Sequence, residues 1–564
     1  MPELTRRAAI TAGMSGAAIA WLPIGRVPAL AGEVPPGFPE STPLYRSVFA
    51  NWSGETRVED LWTCAPRTAA EVVDLSNWAA GAGWRLRPRG QMHTWSPLVV
   101  GPDDDPSTLV LMDLSALDSV ELVSPGPTHG RVRAGTGISM DRLQTAMLDW
   151  GLGLPSVPTI GTITLGGVLA VGAHGATVHP GAGRTALPGQ SFGSVANLVT
   201  ELTAVVWNPK SRTYQLRTFD RHDPELAALL VNLGRTVVTS VVLRAPAAQR
   251  LRCVSHTGIP GTELFAPPAK AGTRSFSALL ASHGTVDALW FVFTKKPWVK
   301  TWTPSPTRPL LSRQTGSPYN YPFTDRIPPA VSALAADMLA GNAAATPLFG
   351  ELMYDVVVAG LTATLSTDLW GWSKDVNVWN YPTSMPSSDL GFTVLCARDE
   401  VQDVVARFAA LHQGMLASYR TRGLFPHNLA LHVRATALDR PLDVDGAVEP
   451  ALSAACPDGA HPEWDTAVWI NLLYFAGPAG QEEFFTEIQD RVFAEFDGGG
   501  TRVRVEWAKN WAIGPGGSWT HRAVIERVVP ASLPRWNSAV TTLDSLDPYR
   551  VFSNAFLDRL LVPR

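Results

Sequence analysis

Apolar residues recur at helical spacing between Ala69 and Ala82, where Val72, Val73, Leu75 and Trp78 are grouped and Gly81 and Gly83 follow as breakers. The spacing predicts a helix, then a short alternating strand, Trp84-Arg-Leu-Arg-Pro88, that runs straight into a loop. Strands are predicted at Leu109–Leu114 and Gly130–Gly135, and a helix from Ser139, a good N-cap, to Trp150, stopped by Gly151. Asn197–Trp207 reads as a strand closed by the turn signal Asn208-Pro209, Asp223–Leu233 as a helix, and Thr236–Leu243 as a strand of β-branched residues. This alternation predicts an α+β fold.

The texture changes after Ala245. Residues 253–330 are rich in proline, tryptophan and lysine, which places a domain boundary near residue 247. A second α/β unit follows, with strands predicted at Gly391–Ala397, Leu429–Ala435, Ala467–Tyr474 and Arg502–Ala508 and helices at Glu400–Thr421 and Gly480–Phe496. The tail from Ser532 to Val562 reads as mostly helical. The expected organisation is a leader (1–31), a first domain (41–246), a cap domain (247–530) and a C-terminal return to the first domain (531–564).

Composition narrows the function classes. The 564 residues are 45% hydrophobic and 17% charged with a net charge of −4, as in a folded protein rather than a disordered one. No basic run is visible, so nucleic acid is not an expected partner. Twelve of the twenty tryptophans follow residue 280, which suits a cavity for a large apolar ligand as well as a large core. At the start, Thr5-Arg6-Arg7 precedes an apolar run, Ala8–Leu22, and Ala29-Leu30-Ala31 offers a cleavage site. That layout predicts a twin-arginine-like export signal and a secreted protein. The four cysteines, Cys64, Cys253, Cys396 and Cys456, have no metal-ligand spacing; in an exported chain a disulfide is open to them, but most read as buried free thiols, with no metal site expected.

Two stretches carry chemistry. Arg87-Pro-Arg-Gly-Gln-Met-His-Thr-Trp-Ser96 sets two arginines, a glycine and a histidine in one loop; Pro158–Gly175 contains five glycines. A flavin dinucleotide needs its phosphates met by backbone N–H groups at close approach, which glycine permits. No G-x-G-x-x-G follows a first strand, so a Rossmann-type site is disfavoured. The expected flavin contacts are Arg87, Pro88, Arg89, Gly90, Gln91, Met92, His93 and Thr94 on one wall. Pro158, Gly161, Thr162, Thr164, Leu165, Gly166, Gly172, His174 and Gly175 form the other, with Val238 and Asn554 added.

These motifs, with Ser194-Val-Ala-Asn-Leu-Val-Thr-Glu-Leu202, Leu233–Val241 and Asp547–Phe556, resemble flavin oxidases of the vanillyl-alcohol oxidase type, with their p-cresol methylhydroxylase-like (PCMH-type) two-part FAD domain. The middle region resembles the covalent-flavin, type II cholesterol oxidases through Leu289–Trp302, Trp469-Ile-Asn471 and Glu506-Trp-Ala-Lys509. The resemblance implies FAD attached through His93, with His174 as the competing site. It implies oxidation of a 3β-hydroxysterol to the ketone, with O2 reduced to H2O2 and transient contact with a membrane surface to extract substrate. The alternatives are the same fold oxidising another bulky secondary alcohol or passing electrons to an acceptor other than O2, and, non-enzymatically, a sterol-binding protein with a vestigial flavin fold.

The implied catalytic set is Arg434, Asn471, Glu506 and Lys509. Where the subfamily shows Glu-x-Arg, this chain reads His432-Val433-Arg434, a departure that bears on the isomerisation half of the sterol reaction. On chemical grounds Arg434 suits a developing alkoxide. The proton acceptor is His432, or Glu506 with a pKa raised by burial. Lys509 either lowers the pKa of Glu506 or steers oxygen reduction. Strand alternation puts His432 and Arg434 on one face.

Overall fold

The computed structural model describes residues 34–154, 156–180, 186, 190, 192–325, 328–380 and 387–564. The expected export signal at 1–31 lies outside the described residues.

Two sheets form the first domain. One orders Leu44–Ala50, Arg57–Cys64, Leu109–Asp113 and Arg85–Arg89, the last two parallel; the other is antiparallel, in the order Val120–Ser124, His129–Gly135, Val237–Pro246, Val199–Asn208, Thr213–Asp220. The helix Ala69–Ala82 forms as its caps dictate: the Thr68 side chain accepts from the Glu71 N–H, and Gly83 ends it at φ 73°. Its Val72, Leu75 and Ala79 pack on Leu86, Val110 and Met112.

A third sheet of nine strands, antiparallel but for one edge pair, builds the cap in the order Arg313–Gln314, Asp368–Trp372, Arg250–His256, Trp298–Pro304, Thr285–Phe291, Ala430–Ala437, Thr466–Tyr474, Ser388–Cys396 and Arg502–Val505. One face is apolar and is covered by the helix Val401–Thr421, whose Val401, Val404, Phe408, Leu411 and Met415 recur at helical spacing. Helix Gln481–Phe496 packs beside it. The opposite face meets the first domain. Helix Thr346–Ala363 covers part of that side with Phe349, Met353 and Val357. The wider segment Ala343–Ala363 is long and apolar enough to cross a membrane by length and composition, yet it carries Glu351 and Asp355.

The C-terminal segment returns to the first domain. Buried Asp547 accepts from Tyr214 Oη at 2.5 Å and from the Val551 and Phe552 N–H groups, and it pairs with Arg235. Val551 and Phe552 then enter the core beside Leu86 and Val110. All four cysteines are free and buried.

Two expected elements are shorter than their patterns suggested. The helix expected over Asp223–Leu233 is reduced to Leu226–Leu229, because Asn232 turns back, donating to the Leu229 carbonyl and accepting from the Gly234 N–H. The strand expected over Arg502–Ala508 ends at Val505, and Glu506–Lys509 forms a turn in which the Lys509 N–H donates to the Glu506 carbonyl.

Candidate active site

The Arg85–Arg89 strand delivers its loop to one end of a cavity of about 520 Å³ that runs from the first domain into the cap. At the loop's base Arg87 is fully buried. Its guanidinium donates to the carbonyls of Val99 (3.2 Å) and Gly234 (2.7 Å), and to those of Leu98 and Phe552. Arg87 thus ties the loop to the C-terminal return. Arg89 pairs with Asp113 at 2.9 Å. Met92 is held at φ 53°, a left-handed conformation that costs of order 1 kcal/mol or more for a side chain of this kind.

The second stretch closes on the first. A Cβ on Gly90 would lie 2.4 Å from Thr164 Oγ1, so the two walls touch only because residue 90 is glycine. Thr164 caps the short helix Leu165–Ala170. Pro158, Thr164, Gly166, Gly172, His174 and Val238 line the cavity with residues 87–94. Gly161, Thr162, Leu165, Gly175 and Asn554 do not. The Gly161 N–H donates to the Trp379 carbonyl and ties this wall to the cap. Leu165 is core. Asn554 caps the helix Ala555–Leu560 and donates to the Pro97 carbonyl, a supporting role one layer behind the loop.

Across the cavity the cap sheet presents its polar face. Register places Lys300, Asp287, Arg434 and Trp469 side by side on four successive strands, and Leu289, His432, Asn471 and Gly391 in the next row. Arg434 Nη2 donates to Asn471 Oδ1 at 2.5 Å, and Asn471 Nδ2 donates to Glu506 Oε2 at 2.7 Å. Arg434 Nη2 and Glu506 Oε2 themselves stand 3.7 Å apart. His174 stacks on Trp469 with ring centroids 3.5 Å apart, and its Nε2 lies 3.8 Å from Glu506 Oε1. This brings the glycine-rich wall onto the same cluster. The 506–509 turn is clamped to the 87–96 loop: Ser96 Oγ donates to the Trp507 carbonyl at 2.5 Å, and the Trp95 N–H to the Ala508 carbonyl at 2.7 Å.

Lys509 departs from its expected partner. Its Nζ pairs with Asp389 Oδ2 at 2.8 Å and lies 4.0 Å from the Trp95 ring centre, while its charge lowers the Glu506 pKa as expected. The expectation of a raised Glu506 pKa is also corrected. Burial pushes it up, but the facing His174 and the charges of Lys509 and Arg434 outweigh this and hold the carboxyl well below the usual carboxylate range. His93, half-buried on the cavity wall, has its ring 4.2 Å from that of Trp52. Burial and then the Lys509 charge lower its pKa to about 3, so its imidazole is neutral.

His432 is not isolated. Its Nε2 lies 3.0 Å from Asp287 Oδ2, and the other Asp287 oxygen faces Lys300 Nζ at 3.6 Å. Burial lowers the His432 pKa most; Asp287 opposes the shift, and Arg434 and Lys300 reinforce it. Asp287, Lys300 and Asp389 were absent from the expected site. Their signal was a charged residue within an otherwise apolar or aromatic strand, as in Thr285-Val-Asp-Ala-Leu-Trp-Phe291 and Trp298-Val-Lys-Thr-Trp302. Proline-rich flanks masked the strand pattern there.

A family model described as "Cholesterol oxidase, substrate-binding" matches residues 250–562, more than half of the chain. The chain belongs to the cholesterol oxidase family. A second model, for an FAD binding domain, matches residues 62–186. A solved solvent-stable cholesterol oxidase is 41% identical, with a TM-score of 0.91, and the match covers 94% of this chain and 100% of that one. The cholesterol oxidase of B. sterolicum is 38% identical at the same TM-score, with 95% and 100% covered. L-galactono-1,4-lactone dehydrogenase, mitochondrial, from Brassica oleracea is 28% identical over 277 residues; the chain spans only 39% of that curated relative's length.

As a cholesterol oxidase family member the protein is an FAD-dependent oxidoreductase, and the residues present fit that cofactor. Residues from three segments, within 87–94, 158–174 and 232–238, line one cavity. At Gly90 and Gly166, where a Cβ would meet Thr164 and Thr136, the backbone itself forms the wall.

Proposed function

We propose that this protein oxidises the 3β-hydroxyl of a sterol to the ketone and passes the electrons to dioxygen, releasing hydrogen peroxide, with FAD attached through His93. The carrying observation is a single cavity that joins the flavin loops to an apolar cap chamber with one polar cluster at their junction. Leu289, Phe291, Phe323, Met353 and Val357 line the chamber, a surface suited to a rigid apolar ring system.

Bound FAD supplies the two-electron oxidant. The chain's residues manage the hydroxyl. Arg434, aligned by Asn471, stabilises negative charge on the substrate oxygen. His432, neutral and open to the cavity, accepts the hydroxyl proton, whereas the depressed pKa of Glu506 makes it a weak base that anchors Asn471 and Arg434. Lys509 sits beside the flavin loop, where a fixed positive charge favours negative charge developing on dioxygen. His432 stands where the resembled subfamily has a glutamate, and it provides an acid/base group for moving a ring proton after oxidation. The Arg6-Arg7 leader supports export.

Anaerobic mixing with cholesterol and with sugars, polyols and aryl alcohols tests this reading. Flavin bleaching with the sterol and stoichiometric peroxide on readmission of air are expected. Bleaching by another alcohol class alone would overturn it.

A further inference from the structure

We propose that Asp287 and Lys300 are positioning residues for proton transfer: Asp287 holds His432 with Nε2–H turned to its carboxylate and Nδ1 left for the substrate hydroxyl, and Lys300 keeps that carboxylate charged. This rests on His432 being the proton acceptor.

The geometry comes from three adjacent strands. Asp287 is directly opposite both Lys300 and Arg434, and His432 is opposite Leu289. All four polar side chains therefore share the cavity face of the sheet, and all four line the cavity. Asp287 Oδ2 is 3.0 Å from His432 Nε2, and an ionised carboxylate at that distance is met by an N–H, which assigns the tautomer. Asp287 Oδ1 has no hydrogen-bond partner and faces Lys300. Lys300 is itself buried, its Nζ 4.3–5.5 Å from the ring centres of Trp379, Trp298 and Trp302.

A purely structural account is weak, because a buried ion pair seldom stabilises a fold better than apolar residues of the same size. A carboxylate behind an imidazole does have a chemical use. It fixes the ring's tautomer and stabilises the imidazolium formed when the ring takes a proton. In the proposed step the hydroxyl O–H breaks and its proton goes to Nδ1. The freed electron pair becomes the second C–O bond, and the carbinol hydrogen leaves with its two electrons to oxidised FAD. The charges facing His432 are Asp287 and Lys300 from neighbouring strands and Arg434 from its own, with Glu506 beyond Asn471.

Anaerobic flavin reduction by sterol is measured across pH in His432→Gln, Asp287→Asn, Asp287→Glu and Lys300→Met holoenzymes, with histidine ring ¹⁵N NMR of the wild type and Asp287→Asn. D287N is expected to slow reduction on the order of 10²–10⁴-fold. D287E should recover part of the rate, and the His432 signal should change from the Nε2–H to the Nδ1–H tautomer in D287N. K300M should move the acid limb of the rate profile to higher pH, because a charge that disfavours the imidazolium is gone. H432Q reducing at the wild-type rate would sink the proton-acceptor reading itself. H432Q slow with D287N at the wild-type rate and an unchanged tautomer would overturn the inference alone. A D287N that is slow, retains the Nε2–H tautomer and is not rescued by D287E would also overturn it.

Discussion

Lys509 is paired with Asp389, 2.8 Å away, rather than with Glu506 three residues before it in the chain. Asp389 is buried on the strand Ser388–Cys396, and burial raises its pKa against the opposing charge of Lys509. Glu506 faces Asn471, His174 and, 3.7 Å away, Arg434.

Lys509→Met should therefore destabilise the protein in a pH-dependent way. A carboxyl whose folded pKa is raised contributes its full stability below its unfolded pKa and loses it as pH rises through the folded pKa. Removing the compensating cation raises the folded pKa further. The penalty should be small in acid and about 3 kcal/mol or more at neutral pH. Denaturant melts of wild type and variant at both pH values check it; an equal penalty at both would refute the pairing's role.

Arg434→Lys should slow anaerobic flavin reduction by sterol on the order of 10²-fold, because the planar fork that meets Asn471 and the substrate oxygen is lost while the charge is kept. Stopped-flow bleaching measures it. An unchanged rate would remove Arg434 from the chemistry.

His93→Ala should leave FAD reversibly bound or absent. The expected result is an acid-precipitated pellet without flavin fluorescence, against a fluorescent pellet from the wild type. A pellet still fluorescent in the variant would move the attachment elsewhere, with His174 the next candidate on the cavity wall.

Arg87→Met should destabilise by about 3 kcal/mol or more, since buried carbonyls of Leu98, Val99, Gly234 and Phe552 lose their donor. The loss should appear first as proteolytic nicking of the C-terminal segment, because Arg87 joins that segment to the flavin loop. Intact protein under limited proteolysis would contradict this.

The two flavin walls were legible as sequence because the requirement is local. At Gly90 a Cβ would run into Thr164 Oγ1, and at Gly172 the φ of 61° is one that glycine adopts without strain. His432 and Arg434 were also legible, since strand alternation alone puts them on one face. Asn554 was misplaced: its motif returns to the flavin domain, but its side chain is spent capping a helix. Asp287 and Lys300 escaped notice because each is a single charge in an apolar strand within a proline-rich region, and neither has a charged partner nearby in sequence.

By itself the sequence determined the α+β class and the FAD-binding character, and it picked out residues 87–94 and others that line the cavity, because these rest on periodicity and on glycine sterics. Tertiary structure alone decided the pairings. Strand order sets Asp287 between Lys300 and Arg434, and the clamp between residues 94–96 and 507–508 delivers Lys509 to Asp389. The charge state of a buried side chain depends on which groups lie within a few ångströms of it, and at this site these include Asp287 beside His432, on strands far apart in the chain.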